Sequence, residues 1–214
     1  VDSVFNSLTL EQRVGQLFNL RANDPNKDFN TYIDDYIERY NIGGVTFFRT
    51  DAEKLLTKAN EWQAKSQTPM MIAIDGEWGI GMRINDGISY PYQMTLGAVT
   101  NDSLIAEMGR QIAEQCTRIG INVNFAPTVD VNNEPNNPVI GFRSFGENAD
   151  NVARKGLAYA MALQDNGVLP SMKHFPGHGN TMTDSHYGLP VVKYSLKEIN
   201  KVELVPFKYL IDNG

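Results

Sequence analysis

Short, largely apolar runs alternate with longer amphipathic stretches through most of this chain. The runs IGGVTFF and MMIAID are apolar along their length, whereas residues 52–65 and NDSLIAEMGRQIAEQCTRIG repeat apolar side chains at helical spacing. Strands that are buried on both faces give continuous apolar runs, and strands with one solvated face alternate. The pattern therefore predicts a βαβα order around a parallel sheet, in the α/β class.

Polar, glycine-rich segments follow these apolar runs. DGEWGIGMR comes after MMIAID, APTVDVNNEPNNPVIGFRSFG after INVNF, and a histidine-containing segment after LPSM. In a (β/α)8 TIM barrel such βα loops open on one face, where the chemistry takes place. Because about five or six βα units can be counted instead of eight, we expect an α/β fold of TIM-barrel type that is truncated to that number of units.

Two capping-box patterns mark predicted helix starts. Thr9 and Gln12 have the required spacing, and so do Ser195 and Glu198 near the other end of the chain. The first pattern leads into the apolar run GQLFNL. The second predicts that YSLKEINKVELVPFKYLIDNG forms one terminal helix.

Charge and hydropathy argue against two classes of partner. Acidic side chains outnumber basic ones by 25 to 19, the net charge is -6, and no basic run is interleaved with aromatic residues. Nucleic acid is therefore not an expected partner. No apolar run reaches the roughly 18 residues that a membrane span needs, so no membrane span is expected.

All three histidines of the chain fall in one irregular segment, KHFPGHGNTMTDSHYGLP. His174 and His178 are four residues apart, as in helical zinc pairs, but the proline and glycines around them oppose a helix. A metal site built from the loop ligands His174, His178, Asp184 and His186 is one interpretation. A polar loop whose histidines only hydrogen-bond to the backbone is another.

A third interpretation uses the Asp184-Ser185-His186 sequence. A carboxylate two residues before a histidine can accept a hydrogen bond from one ring nitrogen and fix the tautomer, which leaves the other nitrogen to carry a proton. Free imidazole has a pKa of about 6.5, which suits general acid catalysis near neutral pH. Lys173 adds a positive charge and hydrogen-bond donors for hydroxyl or amide oxygens.

The histidine segment resembles the signature of family 3 glycoside hydrolases. In particular it resembles the β-N-acetylglucosaminidase branch, which is marked by K-H-F-P-G-H-G-x-T followed by D-S-H. Other segments agree in the same order: LTLEQRVGQLF and IGGVTFFRT resemble the opening helix and the first two strands, AIDGEWGIGMR resembles D-x-E-G-G…R, and NPVIGFRSFG resembles I-G-x-R-S-F-G. The resemblance covers essentially the whole chain.

The resemblance implies a (β/α) barrel that removes terminal β-linked N-acetylglucosamine with retention of configuration and without a metal or organic cofactor. In this branch a His-Asp dyad is the acid/base, and it corresponds here to His186 and Asp184. A carboxylate can hold two sugar hydroxyls, and cationic side chains donate to hydroxyl and acetamido oxygens. The sugar-binding residues of the family correspond to Asp75, Arg83, Arg143, Lys173 and His174.

Several of these residues also have a purely structural interpretation. Asp75, at the end of MMIAID, could cap a helix or a turn, and Arg143 could serve an ion pair within its loop. His178 is flanked by glycines, and a role limited to shaping the loop is one interpretation of it. It therefore stays outside the predicted catalytic set. Trp78 could be a loop or pocket-wall residue, or it could stack on a sugar ring.

The chain departs from the family pattern at four positions. Asn180 stands where many relatives have Asp. Trp78 replaces the first glycine of the E-G-G run, Ile80 replaces the first of two arginines, and Phe142 stands where an Asp is frequent before the arginine. These differences leave the branch intact but affect which sugar and which leaving group fit.

The nucleophile of the family is an Asp in an S-D-x-x-x-M type segment beyond the histidine loop. No such segment occurs here, and Asp212 in YLIDNG is a poor candidate. Without its nucleophile a retaining glycosidase cannot form the glycosyl-enzyme intermediate. We therefore expect residues 1–214 to be the N-terminal part of a single family 3 catalytic barrel domain, inactive by itself. Its open barrel edge predicts self-association or pairing with the missing part.

The expected substrate is an N-acetylglucosamine-containing oligosaccharide, either a cell-wall muropeptide from bacterial peptidoglycan recycling or a chitin-type chain. Three alternatives remain at this point: a metal-dependent hydrolase built on the three histidines, a sugar-binding module without catalysis, and transfer to phosphate instead of water. An imidazole acid/base repels phosphate less than a carboxylate does. The start at Val1 and the substrate class favour a periplasmic or envelope location over a cytoplasmic one.

Overall fold

A computed structural model describes residues 1–23, 29–184, 186–192 and 194–214 of the protein. Within these ranges the chain forms one parallel sheet of five strands, with helices packed against it. The strands are β1 (Asn19–Asn23), β2 (Gly44–Phe48), β3 (Met71–Ile74), β4 (Val123–Asn124) and β5 (Leu169–Pro170). The α-helices are α1 (Asp2–Ser7), α2 (Leu10–Gly15), α3 (Phe29–Tyr40), α4 (Ala52–Lys65), α5 (Gln93–Gly97), α6 (Ser103–Arg118), α7 (Ala149–Asp165), α8 (Leu196–Ile199) and α9 (Leu204–Asn213).

The order of strands in the sheet follows their order in the chain. Every neighbouring pair is parallel, and Val45 of β2 lies beside Leu20 of β1 on one side and Ile72 of β3 on the other. Parallel neighbours need a crossover, which α3, α4, α6 and α7 supply between successive strands. A consecutive order is that of a (β/α) barrel, whereas a doubly wound sheet reverses its direction. The predicted fold, a TIM-barrel type truncated to about five or six βα units, is confirmed, with five strands in the described residues.

The hydrophobic core lies between the sheet and the long helices. In α6 the residues Ile105, Ile112 and Cys116 point inward and are fully buried, as the helical spacing of its apolar residues predicts. In α4 the buried Trp62 stacks on Phe47 of β2, with 5.7 Å between the ring centroids. None of the helices in the described ranges is both long and apolar enough to cross a membrane.

Both predicted capping boxes form, but the terminal helix differs from its prediction. The Thr9 and Ser195 hydroxyls each accept a hydrogen bond from the backbone N–H of the third residue of their helix. The side chain of that third residue accepts one in turn from the backbone N–H of Thr9 or Ser195. The prediction of one continuous helix is wrong, because α8 ends at Ile199 and α9 begins at Leu204. Pro206 is the third residue of α9. Proline fits that first turn, where backbone N–H groups have no acceptor within the helix, and it opposes a helix that began earlier.

Candidate active site

The segments that follow β3, β4 and β5 converge beyond the carboxyl ends of these strands and enclose a pocket of 560 Å³. In a barrel of parallel strands, loops that are distant in sequence meet on this one face. Six of the seven site residues that the sequence suggests line the pocket: Asp75, Arg83, Arg143, Lys173, His174 and His186. The seventh, Asp184, does not line the pocket but contacts His186.

Two cations hold the carboxylate of Asp75, the first residue after β3. The Lys173 Nζ donates to Asp75 Oδ1 at 2.7 Å, and Arg83 Nη2 lies 3.5 Å from Oδ2. These ion pairs are partly exposed at the pocket, so a sugar hydroxyl can reach the same groups. Three of the residues that the sequence suggests for sugar binding, Asp75, Arg83 and Lys173, therefore form one set of paired charges.

Glu77, which the sequence analysis did not select, lies beneath this set and is completely buried. Both of its oxygens accept from Arg143, at 2.7 and 2.9 Å, and Lys173 Nζ lies 2.7 Å from Oε1. Burial by itself raises the pKa of this carboxyl, but the hydrogen bonds and charges of Arg143 and Lys173 outweigh it and lower the pKa from 4.5 to about 2. Glu77 is therefore an anion that fixes both cations toward the pocket.

A second buried acid, Asp130, organises the start of the histidine segment. Its Oδ2 accepts from the backbone N–H of His174 at 3.1 Å and lies 2.6 Å from His174 Nδ1, while its Oδ1 accepts from the backbone N–H of His178 at 2.6 Å. Arg143 Nη2 lies 3.1 Å from His174 Nε2. Because a guanidinium only donates, Nε2 accepts and the ring proton lies on Nδ1, toward Asp130. A sugar hydroxyl that binds His174 at Nε2 therefore replaces Arg143 there.

His186 and Asp184 form the pair that the sequence suggests. Asp184 Oδ1 accepts from the backbone N–H of His186 at 2.8 Å and lies 2.7 Å from its Nδ1. The hydrogen bond from the backbone, followed by the one from the ring, lowers the pKa of Asp184, so the carboxylate is ionised at neutral pH. With Nδ1 turned to Asp184, Nε2 is the nitrogen that can exchange a proton in the pocket. Ser185 lies outside the described residues.

The third histidine has a structural position. His178 is buried, its backbone N–H binds Asp130, and its Nδ1 makes a short contact with the hydroxyl of Thr181. Among the residues that the structure describes, no group of three or more His, Cys, Asp or Glu side chains is arranged to hold a metal ion. His174, His178, Asp184 and His186, the ligands of the metal site considered from sequence, are not among such a group.

Sequence reasoning missed Glu77 and Asp130 for different reasons. Glu77 is the acid of the D-x-E pattern in AIDGEWGIGMR, so its signal was present but was not connected with the arginine that lies 66 positions away. Asp130, in APTVDV, resembles any loop aspartate. Only the fold shows that it binds residues 44 and 48 positions further along the chain.

Comparison with known proteins shows the family and the fold of the chain. Residues 9–214 match the family description "Glycosyl hydrolase family 3 N terminal domain". The chain is 43% identical over 192 residues to a protein named Beta-hexosaminidase A from Pseudoalteromonas piscicida, an alignment that covers 84% of the chain and 32% of that protein. The chain thus spans about a third of the length of this relative.

Two solved structures have the same fold. A family 3 β-N-acetylglucosaminidase from Paenibacillus sp. str. FPU-7 superposes with a TM-score of 0.89 at 37% identity, over 97% of this chain and 40% of that one. A β-glucoside phosphorylase, BglX, superposes with a TM-score of 0.92 at 25% identity, over 100% of this chain and 38% of that one. Both the sequence match and the shared fold extend over nearly all of the 214 residues, and the chain therefore belongs to glycosyl hydrolase family 3.

Proposed function

We propose that the whole protein removes terminal β-linked N-acetylglucosamine from oligosaccharides with retention of configuration, and that His186 and Asp184 are its acid/base. The observation that carries this proposal is the position of His186. Its ring lines the same pocket as the five suggested sugar-binding residues, and its Nδ1 is held by the ionised Asp184. The homologues named as β-hexosaminidases support the choice of sugar.

The charged set of the pocket suits a sugar ring with an acetamido group. Asp75 offers two acceptor oxygens for hydroxyl groups, while Arg143, Arg83 and Lys173 donate to hydroxyl or acetamido oxygens. Glu77 keeps two of these cations in place without itself titrating near neutral pH. Binding energy from such fixed groups positions the anomeric carbon for attack.

In the first step of the proposed reaction, a carboxylate nucleophile attacks the anomeric carbon. The glycosidic bond breaks, and the departing oxygen takes a proton from Nε2 of protonated His186. In the second step, neutral His186 takes a proton from water, whose oxygen bonds to the anomeric carbon and releases the carboxylate. The Asp184 carboxylate stabilises the imidazolium that is present before the first step and forms again in the second.

We propose further that residues 1–214 are the N-terminal part of a single family 3 catalytic barrel domain, whose nucleophile lies in a segment beyond Gly214. Asp75 and Glu77, the acidic residues that line the pocket among those described, are both engaged in ion pairs with cations. Residues 1–214 are therefore expected to bind the sugar without turning it over. Their role by themselves is that of the sugar-binding module considered above.

The experiment compares kcat/KM for two N-acetyl-β-glucosaminides on the whole protein, extended past Gly214, and on residues 1–214. One substrate has a poor methyl leaving group and the other a good dinitrophenyl leaving group. We expect His186→Ala to lower kcat/KM for the methyl glycoside by about 10²- to 10⁴-fold, because departure then lacks its proton. The loss should be much smaller with dinitrophenyl, and azide should restore turnover of the glycosyl-enzyme as the glycosyl azide with retained configuration.

Met182→Ala is the matched control in the same segment, since Met182 is exposed and lies outside the pocket lining. It should leave kcat/KM unchanged for both the methyl and the dinitrophenyl glycoside. Equal losses for both leaving groups in His186→Ala would argue against a proton-donor role. Adding phosphate tests the alternative acceptor, because a transferase releases the sugar 1-phosphate instead of the free sugar. Activity on residues 1–214 alone would disprove the proposed location of the nucleophile.

A further inference from the structure

Three aromatic rings form a row at the mouth of the pocket. Trp78 lines the pocket, its ring lies 4.8 Å from that of Tyr92 in an edge-to-face arrangement, and the Tyr92 ring lies 5.7 Å from that of Phe142. Phe142 is 67% exposed and Tyr92 is 47% exposed. We call this row the aromatic rim. It begins inside the pocket at Trp78 and continues outward to Phe142, so a molecule that extends from the pocket can lie along it.

The aromatic rim consists of residues from separate segments. Trp78 follows β3, Tyr92 directly precedes α5, and Phe142 lies in a short 3₁₀ turn between β4 and α7. Trp78 and Phe142 are two of the four positions at which the sequence departs from the family pattern, where glycine and aspartate are the usual residues. The structure brings both departures together on either side of Tyr92. The two departures noted in the sequence are therefore neighbours of one tyrosine in the fold.

The chemistry of the rim differs from that of the pocket behind it. The pocket presents the charges of Asp75, Arg143 and Lys173, whereas the side chains of the rim are uncharged rings. Large exposed aromatic side chains in a row are a typical feature of a ligand-binding surface. The face of an aromatic ring carries partial negative charge, and it attracts the C–H groups on the face of a β-linked pyranose, whose hydroxyls point outward from the ring edge.

We propose that Trp78, Tyr92 and Phe142 form a binding subsite for the sugar on the leaving-group side of the scissile bond. The preferred substrates would then be β-linked chains of two or more N-acetylglucosamine units, in which a neutral sugar follows the terminal one. This inference rests on the proposed function, because it assumes that the terminal sugar occupies the pocket. A charged peptide finds no complementary charge on the side chains of the rim, which favours a neutral sugar as the occupant.

Isothermal titration calorimetry on the whole protein tests this subsite. All proteins carry His186→Ala, so that bound substrate is consumed far more slowly during the titration. The ligands are methyl N-acetyl-β-glucosaminide, which fills only the pocket, and N,N′,N″-triacetylchitotriose, which extends along the rim. We expect the trisaccharide to bind about tenfold more tightly than the methyl glycoside, and Phe142→Ala to reduce that preference about fivefold without affecting the methyl glycoside.

Four further variants make the test specific. Phe142→Tyr keeps an aromatic ring and should keep the preference, and Phe142→Asp, which introduces the residue type frequent in the family, should lose it. Phe18→Ala removes a phenylalanine that is 54% exposed just before β1, at the opposite end of the strands, and should change nothing. If Phe142→Ala also weakens binding of the methyl glycoside, the Tyr92→Ala variant is measured with both ligands. A loss of trisaccharide binding alone in Tyr92→Ala supports the subsite, and unchanged trisaccharide binding overturns it.

The outcomes separate this inference from the proposed function. If the methyl glycoside binds but the trisaccharide binds no better, or if its advantage survives Phe142→Ala, the subsite is overturned and the proposed function stands. If neither ligand binds the protein with an intact rim, the proposed function fails and the subsite fails with it. If the trisaccharide binds more tightly only when residue 142 is aromatic, the result supports both the subsite and the proposed function.

Discussion

At the scale of single residues, the site depends on how the buried Glu77 is compensated. Burial removes the hydration that stabilises a carboxylate in water. The group stays ionised only where hydrogen bonds and opposite charges compensate for that lost free energy. Arg143 and Lys173 supply both, and the resulting pKa of about 2 keeps Glu77 charged over the whole physiological range. The same contacts orient the two cations, so the stability of the chain and the geometry of the pocket depend on one carboxylate.

We expect Glu77→Gln to lower the free energy of unfolding of residues 1–214 by about 3 kcal/mol at pH 7, because it leaves Arg143 with an uncompensated charge. The pKa of Glu77 is depressed in the folded state. The contribution of ionised Glu77 to the free energy of unfolding is therefore complete above the ordinary pKa of 4.5. It is lost as the pH falls from there toward about 2. The difference in free energy of unfolding between the original protein and Glu77→Gln should be less than half as large at pH 3 as at pH 7. Urea unfolding of dilute samples at pH 7 and pH 3 measures this.

Glu107 provides the control, because its pKa is also lowered to about 2, here mainly by its hydrogen bond from Arg110 on the exposed face of α6. Solvent and salt screen such a surface pair, so Glu107→Gln should have a much smaller effect. An equal loss of unfolding free energy in both variants would contradict the stabilising role assigned to ionised Glu77. A loss in Glu77→Gln that does not depend on pH would contradict it as well.

The sequence predicted much of the site, but not the acids beneath it. Asp75, Lys173 and His186 could be selected because each stands in a short segment with a rare combination of residue types. Asp130 could not, since its three hydrogen bonds reach residues more than 40 positions away. Such contacts depend on which loops the barrel brings together, and no local pattern encodes them.

At the scale of elements, α6 and α7 pack at very short range beside the sheet. Gly109 of α6 makes this approach possible: a Cβ at this position would lie 2.8 Å from the Cβ of Ala162 and 3.0 Å from the carbonyl oxygen of Tyr159. Both of these residues belong to α7, and Tyr159 is fully buried with its hydroxyl bonded to the carbonyl of Gly76, just after β3. The distance between the two helices therefore also sets the position of the loop that carries Asp75.

We expect Gly109→Ala to destabilise the protein even though alanine favours helix more than glycine does. The gain in helix propensity is about 1 kcal/mol, and overpacking costs about 1–3 kcal/mol, so the free energy of unfolding should fall by about 1 kcal/mol. Thr117→Ala, on the exposed face of the same helix, raises the propensity without a clash and should be neutral or slightly stabilising. Thermal unfolding measures both. A Gly109→Ala protein as stable as the original would show that the overpacking costs no more than the gain in helix propensity.

Helix bounds were predicted well where the sequence contains its own signals. The pattern at 52–65 coincides with α4, and both capping boxes form as expected. The terminal segment was predicted wrongly because one helix was extended from its capping box without the restriction that Pro206 imposes. β4 and β5 are only two residues long, and the apolar runs that predicted strands there continue as buried loop, as at Ala126 and Val129.

At the scale of the whole molecule, the described sheet has two outer strands, β1 and β5, each paired on one side. The backbone N–H groups of Leu169 and Ser171 donate to the carbonyls of Asn122 and Asn124. The intervening Pro170 therefore faces away from β4 and has no N–H to offer on that outer side. This arrangement weakens that edge as a template for another strand, but the carbonyls and the exposed Leu169 remain. A closed barrel removes both edges, and residues 1–214 alone do not.

We therefore expect residues 1–214 to self-associate through this edge, with a sedimentation coefficient that rises with concentration. Leu169→Lys places a charge on the outer strand at a residue that is 54% exposed, and it should weaken association by about tenfold. Leu104→Lys, at a residue that is 57% exposed at the start of α6, introduces the same charge away from the edge and should leave association unchanged. Sedimentation velocity over a concentration series distinguishes these cases. A monomer at every concentration would rule out self-association. An association that Leu104→Lys weakens as much as Leu169→Lys would rule out the edge as the contact, because the effect would then not depend on where the charge is placed.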